Sequence, residues 1–102
     1  MNMHLNAHGG GPMGAATVDD TGTDIIVPDT GTRRYLIMQA DKANAGPVFI
    51  RMHKTEPAIP GQGIVLWPGD FHEWGWDTMY WGPVRGAAEV GKTGKVYWHE
   101  GK

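Results

Sequence analysis

The residues best suited to chemistry lie between Gly61 and Gly82, GQGIVLWPGDFHEWGWDTMYWG. A Pro-Gly turn, Pro68-Gly69, is followed three residues past the glycine by His72, with Glu73 beside it. Imidazole and carboxylate donors suit iron, manganese or zinc, so His72 is a candidate metal ligand. The same stretch holds four of the five tryptophans: Trp67, Trp74, Trp76 and Trp81. The competing chemistry is therefore adhesion, with the turn and the aromatics forming a packing or contact surface. On an extended strand Trp74 and Trp76 share a face with His72, which makes the three candidates for one contact patch. Trp67 and Trp81 flank it.

Other reaction classes find less to work with. The chain contains no serine and no cysteine, which excludes serine nucleophiles, thiolate chemistry and disulfides. No G-x-S-x-G, phosphate-binding loop or G-x-G-x-x-G element is present. Glu73 and Asp77 would project on the same side of a strand as a carboxylate pair, and tryptophan faces can stack on sugars, but core or interface packing explains them as well. Arg33-Arg34 is the only basic pair, and the formal net charge is −2. Neither offers the electropositive groove that nucleic acid or an anionic membrane requires. No apolar run approaches a membrane span, and the start, MNMHLNAHGGGPMGAA, does not read as a signal peptide.

The elements that position these residues read as strands. Sixteen glycines and seven prolines in 102 residues disfavour long helices. Asp24–Val27 is short and β-branched. Arg33–Ala40 is apolar on both faces and reads as a central strand. In Pro47–His53, alternation points Val48, Ile50 and Met52 inward. Further strands are expected at Gly63–Trp67, Phe71–Trp76, Val84–Val90 and Lys95–His99, with Gly91–Gly94 as a hairpin turn. Met79–Trp81 is a short additional candidate. Seven to eight short strands with frequent turns point to an all-β protein, a small β-sandwich or jelly-roll-like barrel. Residues 17–102 are expected to form its single domain.

Residues 1–16 read as an extended N-terminal arm without structure of its own, carrying Met1, Met3, Leu5 and Met13 as apolar residues for a neighbour. Residues 1–32 have four aspartates and no Lys or Arg, and the remainder has nine basic and seven acidic residues. An acidic N-terminal third could face a basic partner or simply be solvated. Five Trp, three Tyr and two Phe are many to bury in one thin core, since each buries about 150–250 Å². Some of that surface is expected at an interface.

Two resemblances follow. Pro68-Gly69-Asp70-Phe71-His72 resembles the second metal motif of the cupins, which are small β-barrels. That likeness implies a metal site of His53, Glu56 and His72, although the upstream half offers one histidine where cupins have two. A second resemblance spans about residues 24–100. Its elements are Thr30-Gly31-Thr32-Arg33-Arg34-Tyr35-Leu36-Ile37-Met38-Gln39, then Pro47–Ile50, then Gly63–Gly69, then an aromatic-acid-aromatic run, then Val84–Ala88 and a closing Val96–Glu100. This order is similar to the decoration, or cement, proteins of tailed bacteriophage capsids. The likeness implies a non-enzymatic structural protein of the virion, without a cofactor. Its implied partners are the major capsid protein and itself, as a homo-oligomeric dimer or trimer, on the outer capsid surface after assembly in the host bacterial cytoplasm. A head-fibre base or tail-associated subunit is the alternative position. Under this reading Met1, Met3, Leu5, Met13, Trp67, His72, Trp74, Trp76 and Trp81 are the candidate contacts.

Overall fold

A computed structural model of the chain describes residues 13–28, 33–75 and 80–101. Its strands are β1 (Met13–Val18), β2 (Asp24–Val27), β3 (Tyr35–Ala40), β4 (Val48–Met52), β5 (Ile64–Leu66), β6 (Phe71–Trp74), β7 (Val84–Ala88) and β8 (Gly94–Gly101). They form two four-stranded sheets, ordered β1-β8-β3-β6 and β2-β7-β4-β5. Every neighbouring pair is antiparallel. Only β4 and β5 are consecutive strands in one sheet; each other connection crosses between sheets. This is a β-sandwich with jelly-roll strand order.

The alternation of side chains explains the sandwich. Leu36, Met38 and Ala40 of β3 face inward and are fully buried. Val48 and Ile50 of β4, Leu66 of β5, Val84 and Ala88 of β7 and Val96 of β8 meet them from the other strands. As its sequence predicts, β3 is central, between β8 and β6.

Three expectations change. Met13–Ala16, assigned to the arm, form most of β1, which pairs with β8 from Met13↔His99 to Val18↔Gly94. The strand MGAATV carries little bulk because its partner supplies it. A Cβ on Gly14 would lie 2.9 Å from the Trp98 indole, so Gly14 leaves room for that ring. Residues 1–12 lie outside the described residues. The short candidate at Met79–Trp81 is not a strand at Tyr80 or Trp81, and Met79 lies outside the described residues. Gly91–Gly94 is not a hairpin turn, because β7 and β8 belong to different sheets.

Two close approaches tie the loops to this body. Gly22 has φ +75°, and a Cβ there would sit 1.7 Å from the Ala58 carbonyl oxygen. The Ala58 amide donates to the Gly22 carbonyl at 2.9 Å, so the β1–β2 turn and the β4–β5 loop clasp each other. The second tie is an ion pair with both side chains fully buried, Arg33 Nε to Glu100 Oε2. Arg33 also donates from Nη1 to the carbonyls of Tyr80 at 2.7 Å and Gly82 at 3.1 Å, and from Nη2 to Pro28 at 2.9 Å. A planar guanidinium with donors in a fixed fork satisfies all four acceptors from one point.

Removing one partner of a buried pair leaves the other charge desolvated. Glu100→Ala is expected to cost about 3–5 kcal/mol in urea unfolding. A loss below about 1 kcal/mol would show that the pair does not hold the end of the sandwich. A chain beginning at Thr17 lacks four of the six residues of β1 and exposes the edge of β8. It should unfold at lower urea than a chain beginning at Met13; equal midpoints would contradict the role of β1.

Candidate functional site

The connection from β5 to β6 is a four-residue turn, Trp67-Pro68-Gly69-Asp70, closed by the Asp70 amide donating to the Trp67 carbonyl at 2.8 Å. Proline at the second position and Gly69 at the third, with φ +87°, are what a type II turn requires. The Asp70 carboxylate accepts from the Trp67 amide at 3.3 Å. Two backbone bonds anchor the turn to the end of β3: Gly69 N to Ala40 O at 3.0 Å, and Ala40 N to Asp70 O at 2.9 Å. Gln39 Nε2 adds a bond to the Gly69 carbonyl at 3.3 Å. The turn is thus fixed to the sandwich, and the aromatic residues flanking it point outward. Trp67 is 58% exposed and Phe71 67% exposed.

The other candidate contacts separate. Trp74 is only 8% exposed and belongs to the core, opposite Leu36 on the inner face of its sheet. It is therefore a packing residue and not a surface anchor. His72 shares that face but is exposed, with its ring centroid 4.4 Å from that of Trp74. Trp81 is 56% exposed, yet its indole N–H donates to the Arg33 carbonyl at 3.1 Å. Met13 is 72% exposed at the start of β1. Met1, Met3, Leu5, Trp76 and Asp77 lie outside the described residues.

The residues proposed as metal ligands do not assemble. His53 follows β4 and His72 lies on β6, in opposite sheets. His53 Nδ1 accepts the amides of Thr55 at 3.2 Å and Glu56 at 2.9 Å, so it caps its own loop. The Glu56 carboxylate binds Arg51 at 2.5 Å and stands 3.9 Å from His53 Nε2. Among the described residues no group of three His, Asp or Glu side chains could hold a metal ion. Of the basic pair, Arg33 is consumed by Glu100, leaving only Arg34 exposed.

The two outer faces of the sandwich differ. On the β2-β7-β4-β5 sheet the middle of the outer face is covered by the chain's own β4–β5 loop, while Ile25 and Val65 at its edges remain exposed. Arg51 Nη1 reaches the Pro57 carbonyl at 3.2 Å, and Arg85 reaches those of His53 at 3.3 Å and Lys54 at 2.8 Å. Phe49 and Ala87 are buried on this side. Between Arg51, Ile59, Gln62 and Gly63 an open hollow of about 230 Å³ remains, but the Arg51 guanidinium beside it is already engaged by Glu56 and Pro57.

The outer face of the other sheet presents Met13, Ile37, Tyr97 and Phe71, around a shallow hollow of about 170 Å³ lined in part by Met13, Ile37, Gln39 and Tyr97. Tyr97 is held by its hydroxyl donating to Asp41 at 3.0 Å. The Ala43 amide, then this hydroxyl, hold the Asp41 carboxyl below its ordinary value. Sequence alternation placed Phe71 opposite His72. The contribution of Tyr97 and Ile37 from two other strands required the register.

These features define a jelly-roll β-sandwich with a fixed aromatic turn at one end and one open sheet face. Comparison with protein-family models, characterised proteins and solved structures found no match. Among the described residues no helix is long and apolar enough to cross a membrane.

Burial separates the tryptophans by measurement. Trp74→Ala should cost about 3–5 kcal/mol of stability, and Trp67→Ala no more than about 0.5 kcal/mol, in urea titrations of the two variants. Equal losses at the two positions would contradict the assignment of Trp74 to the core and Trp67 to the surface.

Proposed function

We propose that this chain is a non-enzymatic structural protein of a tailed-phage virion, which decorates and stabilises the capsid by binding neighbouring major capsid subunits. The observation that carries the reading is the rigid turn with Trp67 and Phe71 exposed beside it. Aromatic side chains are favoured as interface anchors because they bury much surface at low entropic cost. Their fixed backbone lowers the ordering cost of binding further. The jelly-roll order is compatible with the proposal but does not carry it, because that fold hosts several functions. The order of sequence elements resembling cement proteins adds its support.

The physical consequence would be stabilisation of the shell. A protein that binds the assembled state and not free subunits shifts the equilibrium toward assembly by mass action. Repetition over a lattice strengthens modest individual contacts by avidity.

The test is co-sedimentation with expanded empty shells of the cognate major capsid protein. The protein should pellet with shells and raise the temperature at which they open. Replacing Trp67 and Phe71 together with alanine should weaken binding by about thirtyfold or more, with folding retained. Failure of the parent protein to bind would overturn the proposal. Label found on tails in imaged particles would move the protein to another position in the virion.

A further inference from the structure

We infer that the outer face of the β1-β8-β3-β6 sheet is a self-association surface, on which a second copy of this chain docks about a two-fold axis. The inference gives the self-association that the resemblance implies a surface and an axis of its own, and it requires no shell.

Register places the face in cross-strand rows. One row runs Met13, His99, Ile37, Glu73; the next runs Ala15, Tyr97, Gln39, Phe71; a third begins Thr17, Lys95. Ile37, Tyr97 and Phe71 supply apolar surface around Gln39 and His99, and two opposite charges, Lys95 and Glu73, stand on a diagonal. Lys95 lies one strand to one side of Gln39 and one row beyond it. Glu73 lies one strand to the other side and one row the opposite way. With strands about 4.8 Å apart and about 3.4 Å per residue, the two positions are about 17 Å apart. They are too distant to pair within one copy.

Gln39 is the midpoint of that diagonal. A two-fold axis lying in the face, passing over Gln39 and perpendicular to the diagonal, sets each Lys95 against the other copy's Glu73. One operation therefore makes two ion pairs, as an isologous interface requires. The same operation carries Tyr97 toward the other copy's Ile37 and leaves Met13 close to the axis, facing its own equivalent. The remaining charge beside Lys95, Asp41, is already engaged by the Ala43 amide and the Tyr97 hydroxyl. On the opposite sheet the middle of the corresponding face, at Arg51 and Arg85, is occupied by the chain's own β4–β5 loop.

Area sets the strength. Four strands about 20 Å long bury about 400 Å² per copy, or about 800 Å² in the pair. Stable dimers bury about 1,200–2,000 Å², so this association is weak and depends on concentration. Copies held close together on one lattice would find it far stronger.

Sedimentation velocity of the full chain, from micromolar to about millimolar concentration and without shells, is the test. A monomer–dimer equilibrium is expected. Lys95→Glu alone and Glu73→Lys alone should each weaken it about tenfold. The two together should restore it to within about threefold, because the pairs re-form with reversed sign. Met13→Asp should abolish the dimer while far-UV circular dichroism stays unchanged. A monomer throughout, or a dimer indifferent to all four variants, would overturn the inference. Shell binding by such a monomer would leave the capsid proposal standing, and a dimer that binds no shell would leave this one.

Discussion

The end of the sandwich depends on a single buried cation. Arg33 gathers the Glu100 carboxylate on β8 and the carbonyls of Pro28, Tyr80 and Gly82. These acceptors come from the exit of β2, the approach to β7 and the last strand. The chain crosses between sheets after β2 and before β7, so no ladder bonds hold those two segments to β8. A buried ion pair is weak evidence for net stability, since desolvation offsets much of the attraction. Its value here is positional. An arginine with three backbone carbonyls and one buried carboxylate as acceptors specifies where three distant segments meet.

The opposite end is organised mainly by backbone bonds, with Gln39 and the Asp70 carboxylate adding to them. The type II turn at Trp67–Asp70 also crosses between sheets, and its bonds to Ala40 replace the ladder that a simple hairpin would have had. Trp67 stays exposed because it lies on that crossing, and Phe71 because alternation along β6 turns it to the outer face, beside Gln39. The aromatic surplus is thus divided: Trp74 and, in part, Trp98 fill the core, while Trp67, Phe71, Trp81 and Tyr97 remain accessible.

The unequal covering of the two sheets gives the molecule sides. One outer face is crossed at its middle by a loop held through arginine–carbonyl bonds. The other shows a shallow apolar hollow between charged corners. A protein with a fixed aromatic turn and an open, charge-framed face is equipped for two different contacts. Attachment to a larger surface would use Trp67 on the turn, association with a neighbouring copy the charges on the strands, and the two share Phe71, which borders the turn and lies on the open face.

The sequence by itself determined the fold class, most strand positions, the central place of β3 and the turn at Pro68-Gly69. These are local: they follow from alternation, β-branching and the φ preferences of proline and glycine, all carried by neighbouring residues. Tertiary structure decided what depends on residues far apart. It made β1 from Met13–Val18, because Trp98 provides the bulk that Gly14 lacks. It joined Arg33 to Glu100, which the sequence shows only as a basic pair and a final acid. It separated His53 from His72 by assigning their strands to opposite sheets, and with them the proposed metal site. In the Gly61–Gly82 stretch, periodicity put Trp74 and His72 on one face, but only packing could say that this face turns inward at Trp74 and reaches solvent at His72. Burial is a property of what lies opposite, and the chain alone does not state what that is.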